Sequence, residues 1–262
     1  MPTTDTHWSR EPGRWPARLT PEAYATIPTI ATPKVSPDGR KIAYSRGYDG
    51  RLDVLVLDSA GGAPLQLTDL ARPQGPDLGQ RQAYSIGWTP DSREVVFASN
   101  QQGKLWRVPA AGGPSRRTDE AAGNHHSPAV SPDGTRVAYV TERGEAVDIF
   151  MAAMDGSWVR VLSDLEADEY VAEPKWSPDG RSLLWMQWPH YDMPWDEAAI
   201  VVADVETGER RIVAGGERVI NNWPQWSPDG RWIAFMSDRN SGHPNLHRVR
   251  PDGSDLESLV YE

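Results

Sequence analysis

The side chains of this chain best equipped for chemistry are carboxylates, imidazoles and indoles gathered at three places. These are His125-His126, Asp168-Glu169, and the run Trp188-Pro189-His190-Tyr191-Asp192-Met193-Pro194-Trp195-Asp196-Glu197. His125, His126, His190, Asp192 and Asp196 are the donors on which a metal site would draw. Adjacent histidines on a strand point to opposite faces, so His125 and His126 cannot both chelate without a turn between them. No metal and no other cofactor is expected. Nucleophilic catalysis lacks its parts too. No Gly-x-Ser-x-Gly occurs, and glycines flank serines only at Gly156-Ser157-Trp158, Ser241-Gly242 and Gly253-Ser254-Asp255, which read as turns. The chain has no cysteine, which removes disulfides, thiolate catalysis and Cys-based metal sites. No catalytic residue is assigned. The candidates His125, His126, Asp168, Glu169, His190, Asp192, Trp195, Asp196 and Glu197 are read as contacts for a substrate or partner.

The elements that must position them form a repeat. Ser36-Pro37-Asp38-Gly39, Thr89-Pro90-Asp91-Ser92, Ser131-Pro132-Asp133-Gly134, Ser177-Pro178-Asp179-Gly180 and Ser227-Pro228-Asp229-Gly230 follow one another at intervals of 53, 42, 46 and 50 residues. Each is followed by a β-branched and aromatic run of strand length, such as Glu94-Val95-Val96-Phe97-Ala98-Ser99, and then by a second run, such as Val147-Asp148-Ile149-Phe150-Met151. A Gly-containing turn leads to a more polar fourth run, as at Leu65-Gln66-Leu67-Thr68 and Arg160-Val161-Leu162-Ser163. Four antiparallel strands per repeat at this period describe a β-propeller blade. The expectation is an all-β propeller of five four-stranded blades, at about 28–70, 82–119, 125–165, 170–215 and 220–262, behind an irregular arm over 1–27. The three inner strands of each blade are expected to be near-continuously apolar. Five blades form either a closed ring or part of a ring of seven or eight. An incomplete ring would expose its end blades and favour self-association.

The turn has its own physics. Pro suits the second position of a type I turn, Asp the third, and Gly takes a left-handed fourth position cheaply. Ser92 stands where the other copies have Gly, so that hairpin is expected to be strained or differently shaped. Asp38, Asp91, Asp133, Asp179 and Asp229 recur with the turn and are read as structural carboxylates that bond turn backbone. Trp88, Trp176 and Trp226 precede turns at equivalent positions and are expected in the core. Function should lie where the repeats differ: Asn124-His125-His126, Glu166 to Tyr170, Glu217 to Asn222 and the insertion from Trp188. All are assigned to loops on the face opposite the Pro-Asp-Gly turns.

Charge narrows the partners. Asp plus Glu number 37 against 27 Lys plus Arg, a net charge of −10, which argues against a nucleic-acid or anionic-membrane surface. The first residues carry no apolar run of signal-peptide type and no long apolar stretch occurs, so a cytoplasmic protein is expected.

The run Leu19-Thr20-Pro21-Glu22, with Pro33-Lys34-Val35-Ser36-Pro37-Asp38-Gly39-Arg40-Lys41-Ile42-Ala43-Tyr44, resembles the opening of the N-terminal propeller of prolyl-oligopeptidase-type (S9) serine peptidases. Met193-Pro194-Trp195-Asp196 and Pro224-Gln225-Trp226-Ser227-Pro228-Asp229-Gly230 before Phe235-Met236-Ser237-Asp238-Arg239 extend the likeness over nearly the whole chain. TolB propellers share the Ser-Pro-Asp-Gly repeat, whereas the Gly-His and Trp-Asp marks of WD40 blades are absent. The resemblance implies a propeller that caps an α/β-hydrolase active site and filters peptide substrates. It also implies that the loop face meets that domain and that the insertion serves substrate access or docking. In one branch of the family propeller glutamates hold the substrate's amino terminus, a role open to Asp168-Glu169 or Asp196-Glu197. The family's catalytic serine, aspartate and histidine match no position here, so the chain by itself is not expected to hydrolyse peptides. The alternative is a stand-alone TolB-like propeller acting as a protein-interaction module.

Overall fold

The computed structural model describes residues 29–48, 51–68, 85–99, 103–118, 121–144, 146–166, 168–189, 197–239 and 243–260. The expected arm over 1–27 lies outside them. Five four-stranded antiparallel sheets make up the architecture. Blade one contains β1 (Thr29–Val35), β2 (Lys41–Tyr48), β3 (Arg51–Asp58) and β4 (Leu65–Gln66). Blade two contains β5 (Ile86–Trp88), β6 (Glu94–Ser99), β7 (Lys104–Pro109) and β8 (Arg116–Arg117). Blade three has β9 (Asn124–Val130), β10 (Arg136–Arg143), β11 (Ala146–Ala153) and β12 (Val159–Val161). Blade four has β13 (Glu169–Trp176), β14 (Ser182–Pro189), β15 (Ala199–Asp204) and β16 (Arg210–Ala214). Blade five has β17 (Asn221–Trp226), β18 (Ile233–Ser237), β19 (Asn245–Val249) and β20 (Glu257–Ser258). Strands are ordered by sequence within every blade, and neighbouring blades touch along β1, β5, β9, β13 and β17, which are therefore the innermost strands.

The core is a stack of layers between blades. Ala43, Val54 and Val56 of blade one meet Trp88, Val95, Phe97 and Val108 of blade two. Val96, Ala98 and Leu105 on the other face of blade two meet Val137, Tyr139 and Phe150. Ala138, Val140, Ile149 and Met151 meet Trp176, Leu183, Trp185 and Val201. Leu184, Ile200 and Val202 meet Ile233, Phe235 and Val249. Successive residues of one strand thus serve opposite layers, as the two-residue period of a strand requires. A middle strand sandwiched between blades must be apolar at every position, which is why runs such as Val95-Val96-Phe97-Ala98 do not alternate.

The innermost strands depart from that rule. His125 and His126 lie within β9, Glu169 and Tyr170 within β13, and Asn221 and Asn222 within β17, where loops were expected. Their inner edge has no strand beside it, so polar residues are tolerated there. Each of β1, β9, β13 and β17 also breaks register before its turn. Thr32, Ser127, Glu173 and Trp223 sit at these breaks with φ of 50°, 52°, 54° and 52°. Every one precedes a proline placed three residues before the turn's serine: Pro33, Pro128, Pro174 and Pro224. Proline has no N–H to give a ladder, and on the free inner edge none is needed. The resulting bulge re-aims one side chain in each of these four blades.

Two further devices recur. In each Pro-Asp-Gly turn the Asp carboxylate accepts from the preceding Ser or Thr hydroxyl at 2.6–2.7 Å and from the backbone N–H two residues on at 3.0 Å. Ser92 takes the left-handed conformation of the glycine it replaces (φ 60°), and its hydroxyl accepts from Asp38 N–H of blade one at 3.1 Å. The second device is an indole clip. Trp88, Trp176 and Trp226 donate Nε1–H to Lys34 O, Ala129 O and Lys175 O of the preceding blade at 2.9, 2.8 and 3.1 Å. Val35 holds the corresponding position in blade one and is 62% exposed.

The clip predicts that Trp176→Phe, which keeps most of the packing but leaves the partly buried Ala129 carbonyl without its donor, costs about 1 kcal/mol in urea unfolding. Trp176→Ala should cost about 3–5 kcal/mol. Unchanged stability in Trp176→Phe would show that the hydrogen bond contributes nothing.

The turns predict acid sensitivity. The Ser131 hydroxyl and the Thr135 N–H hold the Asp133 carboxyl at a pKa of about 2, below its ordinary value of 3.8. Because the folded state binds this proton less readily than the unfolded chain, the contribution is complete above pH ~4 and lost as pH falls toward ~2. Stability measured across that window should decline less steeply in Asp133→Asn than in the parent chain. Parallel curves would count against this role.

Candidate functional site

The ends of β2, β4, β6, β8, β10, β12, β14, β16 and β18, and the starts of the strands that follow them, share one side of the blades, opposite the Pro-Asp-Gly turns. On that side, chemistry concentrates at the rim of blade four. Glu169 opens β13 and pairs across the sheet with Pro189, while Tyr170 pairs with Trp188 and Val171 with Gln187. The Tyr170 and Trp188 rings stack with centroids 6.0 Å apart and planes 23° apart, both partly exposed. Glu169 is fixed by two donors: Gln187 Nε2–H at 2.9 Å and the backbone N–H of Glu166 at 3.2 Å. Gln187 Oε1 in turn accepts from Nε1–H of fully buried Trp185 at 3.3 Å. The carboxylate therefore stands on a chain of hydrogen bonds rooted in the core.

The other sequence candidates do not all gather at this rim. Asp168 is exposed, with φ of 72°. Glu197 is half-buried, its Oε2 3.5 Å from Arg218 N. His190, Asp192, Trp195 and Asp196 lie outside the described residues, between β14 and β15. His125 is buried in blade three. Its Nε2–H donates to Ala121 O at 3.1 Å, and its Nδ1 is hydrogen-bonded with Thr141 Oγ1 at 3.1 Å. The ring stands edge-on to Tyr139 at 4.9 Å. His126 turns to the opposite face, with Nδ1 3.1 Å from Ser127 Oγ and Nε2 3.5 Å from Glu142 Oε1. Asp168, Glu169 and the aromatic pair are neighbours. The histidines belong to a different blade.

Near the axis lies a set that sequence reasoning passed over. Lys175 Nζ donates to Glu173 Oε2 at 3.0 Å and to Pro224 O of blade five at 2.8 Å, joining the two innermost strands. Burial holds the Lys175 ammonium below its ordinary pKa; the Glu173 carboxylate opposes this, and the Lys34 ammonium of blade one adds to it. Trp223, beside Pro224, is 50% exposed. The X-Pro step before four of the five turns was the available signal for these bulge residues. Asn221 is also committed: its Nδ2–H donates to Ala198 O at 2.6 Å and its Oδ1 accepts from Arg239 at 2.7 Å. Asn222 is 1% exposed, and both its amide atoms are buried with no hydrogen-bond partner among the described residues.

On the opposite side, a groove of about 480 Å³ is lined by Arg107, Arg136, Asp155 and Trp158 among others. Its guanidiniums pair with Glu94 at 3.4 Å and Glu206 at 2.8 Å. Among the described residues no three His, Asp or Glu side chains gather as a metal site would need, and no helix is long and apolar enough to cross a membrane.

Known proteins share this architecture. Residues 25–187 match the family model described as the TolB beta propeller domain. An uncharacterised protein of Agrobacterium fabrum is 28% identical over 165 residues, covering 58% of this chain and 53% of its own length. The solved structure of a puromycin-hydrolysing peptidase from Mycobacterium tuberculosis superposes with a TM-score of 0.70 at 26% identity, over 89% of this chain and 39% of that one. A putative TolB from Agrobacterium tumefaciens aligns with a TM-score of 0.63 at 20% identity over 88% of this chain and 80% of its own, a likeness of fold. The chain thus spans about half of the curated relative and about two-fifths of the peptidase. What resembles the peptidase is its propeller.

Asn222 generates a prediction. A buried amide with neither donor nor acceptor satisfied is destabilising, so Asn222→Val should raise stability by about 1–3 kcal/mol in denaturant melts. A loss of stability would show that the amide has a partner in solution.

Proposed function

We propose, from the premise that the chain belongs to the TolB β-propeller domain family, that it is a non-catalytic propeller. On this reading it recognises peptides at the rim of blade four and controls their access to an α/β-hydrolase domain. The observation that carries the reading is the Tyr170–Trp188 stack beside the braced Glu169 carboxylate. Aromatic faces offer apolar contact area with little conformational freedom to lose. A carboxylate already held by Gln187 and Glu166 needs little reordering to pair with the ammonium of a peptide's amino terminus. The likeness to the propeller of a puromycin-hydrolysing peptidase supports this assignment. The family match favours a second reading, a protein-interaction module that uses the same rim for a folded partner.

Fluorescence anisotropy of a labelled short peptide tests the proposal. Saturable binding is expected, weakened roughly tenfold by Trp188→Ala. Blocking the peptide's amino terminus should weaken binding to the parent chain more than to Glu169→Gln, and the peptide should remain uncut. Absence of binding, or indifference to Trp188→Ala, would overturn peptide recognition and leave the second reading. Cleavage would overturn the non-catalytic role.

A further inference from the structure

The faces that join the blades follow one rule. Toward the preceding blade, the strand after each turn presents an aliphatic residue and then an aromatic one. These pairs are Ile42 and Tyr44 in β2, Val95 and Phe97 in β6, Val137 and Tyr139 in β10, Leu183 and Trp185 in β14, and Ile233 and Phe235 in β18. The other face of the same strands carries no aromatic residue: Ala43 and Ser45, Val96 and Ala98, Ala138 and Val140, Leu184 and Met186, Ala234 and Met236. Each layer between blades therefore receives a ring on one side and slimmer side chains on the other, as where Phe97 meets Ala43, Val54 and Val56.

Two faces are left over. The packing of innermost strands that links each blade to the next, from β1 through to β17, has no comparable counterpart between β17 and β1 among the described residues. Blade one thus keeps an aliphatic–aromatic face with no blade before it. Tyr44 and Leu55 are buried at its centre, Ile42 and Leu57 are half-buried, and Ile30 and Val35 are exposed. Blade five keeps a face without aromatic pair and with no blade after it, where Leu246 lies across from Met236 and is 45% exposed. Of the eleven large apolar side chains exposed among the described residues, eight belong to these two end blades. Val35 holds the position that tryptophan fills in blades two, four and five. Val130 shows that valine serves there as well, since it packs into the layer between blades two and three.

We propose that blade five of one copy packs face to face with blade one of a second copy, in the stacking order used within the chain. The face that blade five lacks is an aliphatic–aromatic one, and blade one presents it. Burial of apolar surface supplies the affinity. The two faces differ, so the contact is heterologous, and copies add head to tail until a ring closes or growth continues. The contact is distinct from the aromatic rim of blade four and does not depend on peptide recognition there.

Sedimentation velocity over a rising concentration series tests it. The mass of the parent chain should increase with concentration. Val35→Glu and Leu246→Glu place a charge at exposed positions, should melt like the parent, and should each weaken self-association roughly tenfold. Mixed in equal amounts, the two variants should form a dimer and nothing larger. One keeps an intact blade-five face and the other an intact blade-one face. A parent chain that stays monomeric throughout would overturn the proposal and leave the end faces to another segment or another protein. Undiminished self-association of Val35→Glu alone would also overturn it, because copies would then join without blade one. Peptide binding at the rim should be equal in both variants, so failure here leaves that reading untouched.

Discussion

The whole molecule depends on the packing of one blade's face against the next. No blade has a core of its own: the four buried clusters each draw residues from two adjacent blades. A four-stranded sheet with two apolar faces is stable only when both are covered, so the blades stabilise one another in sequence. The indole clip sets the spacing near the axis, where the wedge between blades is narrowest. Trp176 shows its geometry: the ring fills the layer with Val140 and Leu183, and its N–H reaches Ala129 O one blade back. Arg136 then lies over the same indole at 5.0 Å and donates to Gly180 O, tying the turn side of blade three to blade four.

This division of labour separates scaffold from site. The Pro-Asp-Gly turns are spent on local hydrogen bonds, and the middle strands on two-sided burial. Freedom to vary is left to the innermost edge and to the connections on the opposite side. At the rim of blade four that freedom is used for two aromatic rings and a carboxylate. At the axis it is used, in four of the five blades, for a bulge that turns one side chain away from the ladder. Both places hold polar groups on rigid strands, which allows recognition without reordering.

Blade number, strand order and turn chemistry were legible because each rests on local rules repeated five times. The Asp that bonds its own turn, and the tryptophan before it, could be read from spacing alone. The innermost strands were harder. Apolar pattern marks strands buried on two faces, and Asn124 to His126 or Asn221 to Asn222 do not have it, so they read as loops. Their strand conformation comes from pairing with β10 and β18, contacts between segments well apart in the chain. The buried His125 was offered as a surface contact for the same reason: only the fold places Thr141 and Tyr139 beside it. Glu169 was identified as a candidate carboxylate, but its bracing by Gln187 depends on the register of β13 against β14. The four candidates in the β14–β15 connection, His190, Asp192, Trp195 and Asp196, stay as expectations from sequence.

The central claim is that recognition occurs at the blade-four rim and that the Pro-Asp-Gly side is scaffold. Hydrogen–deuterium exchange of the chain with and without a saturating short peptide tests it most directly. The account predicts added protection in the connection before β13, at the start of β13 and at the end of β14, around Glu166 to Tyr170 and Gln187 to Pro189, with the turns at Asp133 and Asp179 unchanged. Protection confined to those turns, or none anywhere while the peptide is bound, would contradict it.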